Sequence, residues 1–305
     1  MLYDVESIKC AQKKQNMSLP NLVAISQRIL ASKSASVNVP VSPISGIYLL
    51  KGTESPKNVA AIYNPIICLI IQGCKEVVFG DNEKIRVEAG QSIIVSHSTP
   101  IDSRIIKGSS QNPYLAVIFS IEIKALQLLY HEISYNQADE KPIQSLKVGH
   151  TDDALVDALK RYLELSEKPQ EVEVLAPLIR KEIYYRLLMA SHGSTLRQLI
   201  INDSHAFHIM KATVYIKENF NKALAMSEVA MIAGMSLPSF YNHFKSITGL
   251  SPLQYQKELR LIQAQQLLKK KQLMVTSVAF EVGYESPTQF SREFTRRFGV
   301  TPKNS

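Results

Sequence analysis

Two similar stretches near the end of the chain decide its fold: "GMSLPSFYNHFKSITGLSP" (residues 234–252) and "GYESPTQFSREFTRRFGVTP" (residues 283–302). Each follows a short apolar segment, "VAMIA" or "VAFEV", and each ends with a Gly and then a Pro. Glycine supplies the positive φ that a tight turn between helices needs, and Gly followed by Pro ends a helix. The repeat therefore predicts two copies of a helix, a glycine turn and a second helix.

The second helix of each predicted copy has an apolar face and a polar face. Phe290, Phe294 and Phe298 recur every four residues, and Phe240 and Phe244 repeat the pattern in the first copy. This spacing places the Phe side chains on one helix face, where they hold the unit together. Amphipathic packing explains the Phe residues, but it does not explain why two such units occur in one segment.

The boundaries of these helices carry further signals. In "SPTQ", Ser286 is predicted to be an N-cap, Pro287 stands at the first helical position, and Gln289 is expected to reach back to the cap. Between the two copies, "PLQYQKELRLIQAQQLLKK" predicts one long polar helix over 252–270. The two units are thus expected to sit on a rigid connecting helix.

Charge is concentrated in the same part of the chain. The whole sequence of 305 residues has a net charge of +8, and residues 205–305 hold 13 Lys and Arg against six Glu. A localised positive field is typical of domains that bind polyanions, although basic surfaces also serve solubility. No stretch is long and apolar enough for a membrane span, and neither a membrane nor a secretory signal is predicted.

The first two thirds of the chain read differently. Short β-branched runs cut by Gly, Pro, Asn and Asp extend from about 44 to 121 and predict a small sandwich or barrel of jelly-roll type. "GDNE" (80–83) is a predicted hairpin turn. Helical periodicity marks 19–32, 122–131, 152–166 and 173–191, and the polar segment 192–204 ends in a predicted Ser204 N-cap. The predicted fold class is α+β, with one domain over 19–191, a linker over 192–204 and a helical domain over 205–305.

The paired helices have a geometric use. A helix-turn-helix unit places its second helix in the major groove, where Arg reads guanine and Gln or Asn reads adenine. Two units on one connecting helix can enter successive major-groove segments, roughly 34 Å apart on one face of a duplex. Double-stranded DNA is therefore the predicted partner of the C-terminal domain.

Residues 205–302 resemble the DNA-binding domain of the AraC/XylS family of bacterial transcription regulators. "VAFEVGYESPTQFSREFTRRFGVTP" carries the resemblance most specifically, and the connecting helix with "LRLIQAQQLL" agrees. The resemblance implies base-reading positions and phosphate contacts on the second helix of each unit. The implied base-reading residues are Pro238, Tyr241, Asn242, Pro287, Thr288, Gln289 and Arg292, and the implied phosphate contacts are Lys245, Arg296 and Arg297.

The stretch "NPIICLIIQGCKEVVFGDNEKIRVEAGQSIIVSHSTP" (64–100) resembles the cupin-like N-terminal domain of one subgroup of that family. In such regulators the domain is a small-molecule sensor or a dimerisation module. The resemblance therefore implies a small-molecule effector, a possible homodimer, an activator that contacts RNA polymerase, and a cytoplasmic location. A regulator whose N-terminal domain binds a protein instead is the alternative.

A metalloenzyme of the cupin class is a further alternative, and the residues count against it. Metal cupins need a His-x-His pair with a Glu and a later His, whereas His97 is the one histidine of the strand region. No Ser/His/Asp set or phosphate-binding Gly loop is present in the sequence either. No catalysis, metal or cofactor is predicted.

Two cysteines flank "LIIQG" in the strand region. Cys68 in "IICLII" reads as a small buried hydrophobe. Cys74, beside Lys75, is the candidate for an accessible thiol of low pKa that senses oxidants or electrophiles, with Cys68 as its possible partner.

The helices predicted over 152–191 leave two interpretations open. Their apolar residues either pack against the β domain or form a dimer interface between protomers. The residues concerned are Leu155, Leu159, Tyr162, Leu163, Leu178, Ile179, Ile183 and Leu187.

Overall fold

The computed structural model describes residues 18–80, 83–133, 144–201, 203–270 and 273–305. The described residues of the N-terminal domain form ten strands, which are β1 Val41–Ile44, β2 Ile47–Gly52, β3 Val59–Tyr63, β4 Ile66–Gln72, β5 Cys74–Phe79, β6 Glu83–Glu88, β7 Gln91–Val95, β8 Thr99–Lys107, β9 Tyr114–Ser120 and β10 Leu146–His150. Its helices are α1 Leu19–Ser32, α2 Ile123–Glu132, α3 Asp153–Glu164, α4 Pro169–Met189 and α5 Ser194–Ile200. Across the described ranges, every helix is too short or too polar to cross a lipid bilayer.

The strands form two antiparallel sheets. The larger sheet has the order β1-β2-β9-β4-β7-β10, and the smaller one has the order β3-β8-β5-β6. β5 and β6 pair as a hairpin with Phe79 opposite Glu83, as predicted, although residues 81 and 82 of the turn lie outside the described ranges. The predicted α+β fold with a double-sheet β domain is confirmed.

The larger sheet is buried on both faces, which explains the unbroken apolar run in β4. Ile67 and Leu69 point toward the helices, whereas Cys68 and Ile70 point toward the smaller sheet. A strand covered on both sides needs apolar residues at every position, so alternation is lost. Chain direction then changes at Gly73, whose φ of +85° lets β4 and β5 join different sheets.

The helices over 153–189 pack against the β domain, which confirms the first of the two interpretations for most of their apolar residues. Leu155, Leu159, Tyr162, Leu163, Ile183 and Leu187 are fully buried in the core that these helices share with the larger sheet. Leu178 differs, because its side chain is 61% exposed.

The segment predicted as a polar linker contains the buried helix α5. Leu196 and Leu199 are fully buried, and the Arg197 guanidinium donates hydrogen bonds to the carbonyls of Leu188 and Ala190. Residues 192–204 contain only four large apolar side chains, of which Leu196, Leu199 and Ile200 are buried. Three buried positions are too weak a pattern to predict a helix from sequence. Ser204 is the predicted N-cap, and its hydroxyl accepts a hydrogen bond from the Phe207 N–H at 3.0 Å.

The sequence predicts C-terminal helices over 205–219, 226–233, 237–248, 252–270, 275–282 and 287–298. The described residues of this domain form six α-helices whose ends lie within one residue of those predictions. They are α6 His205–Glu218, α7 Met226–Ile232, α8 Leu237–Thr248, α9 Pro252–Lys269, α10 Val275–Glu281 and α11 Pro287–Phe298. The helices α6 to α8 share one core with the start of α9, and α10 and α11 form another with the rest of α9. The long connecting helix α9 thus joins two helix-turn-helix units.

Candidate nucleic-acid interface

The second helix-turn-helix unit is built on a small aromatic core. Phe290 and Phe294 are fully buried, and their ring centroids lie 5.5 Å apart. Gly283 turns the chain between α10 and α11 with a φ of +89°, and a Cβ there would lie 2.2 Å from the Asn221 carbonyl oxygen. The core therefore fixes the angle at which α11 leaves the unit.

The start of α11 is capped on one side only. The Ser286 hydroxyl accepts a hydrogen bond from the Gln289 N–H, as predicted. The Gln289 side chain does not reach back, because its amide donates to Glu293 at 3.3 Å. The full reciprocal capping box lies at the start of α9, between Ser251 and Gln254.

The exposed face of α11 gathers the residues predicted to contact DNA in the second unit. Thr288, Gln289, Arg292 and Arg296 are exposed, and all four line one concave surface of about 400 Å³. Pro287 is half-buried at the first helical position. Two guanidinium groups one turn apart on a helix face form a site suited to a nucleic acid.

Arg297 points away from this face and toward the N-terminal domain. Its guanidinium makes a two-pronged ion pair with Asp102 of β8, at 2.7 and 3.0 Å, and a further bond to Glu258 of α9 at 2.7 Å. Burial acts to lower the pKa of Arg297, but the two carboxylates outweigh it and raise the pKa. In this arrangement the side chain bridges the domains, and its predicted phosphate contact requires that bridge to open.

The first unit presents its candidate residues to a cleft between the domains. Pro238, Asn242 and Lys245 are exposed on α8, and Tyr241 is half-buried. Tyr241, Asn242 and Lys245 line a cleft of about 700 Å³ that is also lined by residues of the β5–β6 hairpin, namely Phe79, Gly80 and Glu83. The candidate DNA-contacting face of the first unit therefore lies partly behind the N-terminal domain.

Direct contacts between the domains gather around this first unit. The Ser145 N–H donates to the Ile247 carbonyl at 2.7 Å, and the Tyr255 hydroxyl donates to the Ser98 carbonyl. Lys217 also donates to the Asn64 side chain at 2.6 Å. Sequence reasoning missed these residues, because backbone carbonyls and single hydroxyls leave no motif.

His97 belongs to the same contact. It is fully buried, its Nε2–H donates to the Ala206 carbonyl at 2.9 Å, and the Ser96 hydroxyl lies 2.8 Å from Nδ1. Burial lowers the pKa of His97 to about 4, against the opposing effect of the Ala206 bond. The neutral imidazole is thus a structural link between domains. In the part of the chain that the structure describes, no three His, Cys, Asp or Glu side chains come together as a metal site.

The cysteines do not have the properties expected of a thiol sensor. Cys68 is buried as predicted, but Cys74 is also buried, with 5% of its surface exposed. Burial raises the pKa of both thiols, and the charge of Glu88 raises that of Cys74 further. The prediction of an accessible, low-pKa thiol at Cys74 is wrong, because the side chain is buried at the start of β5 and its pKa is raised.

Two helix-turn-helix units on one connecting helix, attached to a double-sheet β domain, define a class of two-domain DNA-binding regulators. Residues 43–195 match the family model described as the AraC-type transcriptional regulator N-terminus, and residues 229–304 match a helix-turn-helix domain model. The chain belongs to the AraC/XylS family of transcriptional regulators.

Individual relatives support the same family. The virulence regulon transcriptional activator VirF of Yersinia enterocolitica is 29% identical over 181 residues, which are 58% of this chain and 64% of VirF. The transcriptional activator RhaS of Escherichia coli is 25% identical over 158 residues, which are 52% of this chain and 55% of RhaS. The chain thus matches less than two thirds of either relative's length.

Solved structures agree on the fold. The structure of ToxT from Vibrio cholerae with an unsaturated fatty acid bound has a TM-score of 0.54 and 14% identity, and the match covers 85% of this chain and 92% of ToxT. Another ToxT structure, from strain O395, has a TM-score of 0.51 and 11% identity over 86% of this chain and 97% of ToxT. At such low identity the likeness concerns the fold alone.

Proposed function

We propose that this chain is a sequence-specific transcription activator whose promoter occupancy is controlled by a small molecule bound to its N-terminal domain. The exposed α11 face with Thr288, Gln289, Arg292 and Arg296 on one concave surface carries the DNA-reading part of the proposal. VirF and RhaS are both named as activators. An activator of this family would work in the cytoplasm and contact RNA polymerase, by family analogy alone.

Control by a small molecule is supported by the way the domains meet. The hairpin residues Gly80 and Glu83 line the cleft that also holds Asn242 and Lys245, so a duplex in that position would meet the N-terminal domain. A ligand that favours one arrangement of the domains would change DNA affinity by its difference in affinity for the two arrangements. The fatty acid bound to ToxT supports a small-molecule effector for this fold.

Footprinting on the DNA of the source organism, at two salt concentrations, tests the proposal. Arg292→Ala is expected to abolish discrete protected sites, because a guanidinium that reads a base carries sequence information. Arg296→Ala, one turn further along the same face, is the matched control. It should weaken all sites alike and lower the salt slope by about 1, as the loss of one phosphate contact does.

Diffuse protection that is equal in the wild type and in Arg292→Ala would contradict sequence reading. It would mean that the two units hold DNA without distinguishing its sequence.

A protein partner for the N-terminal domain is the second candidate, and an apolar groove between α2 and α4 favours it. Leu128, Leu129 and Pro177 line a concavity of about 330 Å³. The Leu128 side chain is 69% exposed, and Leu178, which follows Pro177 on α4, is 61% exposed. Exposed apolar surface of this kind is typical of contact sites between proteins. A second copy of the chain is the simplest occupant, and a monomeric sedimentation mass at micromolar concentration would argue against it.

A further inference from the structure

A lysine is buried inside the β domain without an acidic partner. Lys75 lies on β5 with its neighbours Val87 and Ile105 in register on β6 and β8, both of which belong to the apolar core between the sheets. Only 5% of the Lys75 surface is exposed. Among the described residues, no carboxylate pairs with its ammonium group.

The contacts of Lys75 leave most of its hydrogen-bonding capacity unused. Its Nζ donates to the Tyr63 hydroxyl at 2.5 Å and lies 4.9 Å from the centre of the same ring. An ammonium group has three N–H donors, and this one has a single acceptor among the described residues. Burial acts to lower the pKa of Lys75, whereas Tyr63 and Cys68 act to raise it, and the pKa lies above its ordinary value.

A second polar group in this core lacks a strong partner. Tyr114 is fully buried there, and among the described residues its hydroxyl has only a weak contact with the Cys68 thiol. The Tyr63 ring and Cys68 lie close enough to influence the pKa of Tyr114. The Ser103 hydroxyl completes the group, 3.2 Å from the Tyr63 hydroxyl.

We infer that the core between the two sheets binds a small monocarboxylate with an apolar body, and that Lys75 is its counter-charge. A buried charge without a partner costs several kcal/mol, whereas an ion pair with further hydrogen bonds offsets that cost. The hydroxyls of Tyr63, Tyr114 and Ser103 are donors for the carboxylate oxygens, and the surrounding Ile and Val side chains suit an apolar body. One lysine neutralises one negative charge, so a monoanion matches the site and a phosphate dianion does not.

This inference rests on the proposed function, because it names the chemical class of the effector. The carboxylate is expected to take the place of the Tyr63 hydroxyl as the acceptor for Lys75. Tyr63 ends strand β3, which lies at the edge of the smaller sheet and contacts α9 of the DNA-binding domain through the same strand. A shift of Tyr63 would therefore act at the contact between the domains.

Thermal melting of the full chain tests the inference without any DNA. The probes are small monocarboxylates from acetate to cyclohexanecarboxylate, each compared with its neutral amide of the same shape. At least one carboxylate should raise the melting temperature of the wild type by a few degrees, since ligands stabilise the state they bind. The matching amide should not.

Variants of Lys75, with a surface lysine as control, separate the effect of its charge from that of its packing. Lys75→Met is expected to fold at least as stably as the wild type without a ligand and to lose the carboxylate shift, because it removes an unpaired buried charge. Lys75→Arg should keep a shift, and Lys84→Met, on the exposed side of the adjacent strand β6, should keep all of it.

Three results would overturn the inference: no shift with any carboxylate, equal shifts with the amides, or a full shift in Lys75→Met. Because melting does not depend on DNA, such a result together with discrete footprints would leave the proposed function standing. A carboxylate that raises the melting temperature, in the absence of discrete footprints, would support the binding site and contradict the proposed function.

Discussion

His97 shows how one buried side chain makes the contact between domains depend on pH. The unfolded chain protonates this histidine near its usual pKa of about 6.5, whereas in the folded protein burial lowers its pKa to about 4. Between these two values the unfolded state binds more protons than the folded state. The contribution of His97 to the free energy of unfolding is therefore fully present above about pH 6.5 and is lost as the pH falls toward 4.

Replacing His97 by glutamine should flatten this pH dependence. The Gln amide can still donate to the Ala206 carbonyl but does not titrate between pH 4 and 7. Wild-type stability is expected to lose up to about 3 kcal/mol through this group as the pH falls, and His97→Gln should lose less. Chemical denaturation at a series of pH values measures the difference. Part of the dependence of stability on pH should remain in His97→Gln, because burial also lowers the pKa of His192 to about 4. An identical pH dependence in both proteins would contradict the assignment to His97.

At the scale of single elements, the two glycines that bracket α11 make a matched pair. Both Gly283 and Gly299 have a positive φ, +89° and +71°. An alanine Cβ at 283 would lie 2.2 Å from the Asn221 carbonyl oxygen, whereas at 299 nothing lies within 4 Å. Both alanine variants bear the cost of a left-handed backbone, which is about 1–2 kcal/mol.

Gly283→Ala is therefore expected to destabilise the protein by more than Gly299→Ala, by a further 1 kcal/mol or more, on the scale of an overpacked site. Urea unfolding of the two variants measures the difference directly. Equal losses would mean that the turn before α11 relaxes freely and does not fix the angle of the helix.

The same elements show what sequence can predict and why. The six C-terminal helices were predicted to within one residue, because each has a helical apolar stripe and a terminal signal such as Ser204, Gly249 or Gly299. The helix α5 is not predicted because its three buried apolar residues, Leu196, Leu199 and Ile200, are too few to show a helical period. Arg297 was predicted as a phosphate contact from its place in a motif, and its ion pair with Asp102, 195 residues away in sequence, depends on how the domains meet. Local hydrophobic periodicity predicts helices from the sequence, whereas nothing in the sequence predicts the contacts between the domains.

In the whole molecule, the two DNA-binding units are not equivalent. Ser145, His97 and the hairpin at Gly80 all contact the first unit, whereas the second unit meets the N-terminal domain through the Arg297 ion pair. The candidate DNA-contacting face of α11 is exposed, and that of α8 lies in the cleft beside the hairpin. If both units read DNA as proposed, the entry of α8 and α11 into two major-groove segments requires the hairpin to move away from α8.

Gly249 offers a way to force that movement. It ends α8 as Gly299 ends α11, with φ values of +76° and +71°, so an alanine at either position bears similar backbone strain. A Cβ at 249 would lie 2.4 Å from the Gly80 Cα in the other domain, whereas a Cβ at 299 meets nothing within 4 Å. Only Gly249→Ala should therefore push the β5–β6 hairpin off the first unit.

We expect Gly249→Ala to bind operator DNA several times more tightly than Gly299→Ala in the absence of effector, because the open arrangement no longer has to be reached against the contacts between domains. The Gly249→Ala protein should also expose its hairpin to proteases more readily. Fluorescence titration with a labelled operator, alongside limited proteolysis, measures both effects. If the two alanine variants bind DNA equally well while the hairpin of Gly249→Ala is cleaved faster, the hairpin moves without restricting the first unit, and control of DNA binding must act elsewhere.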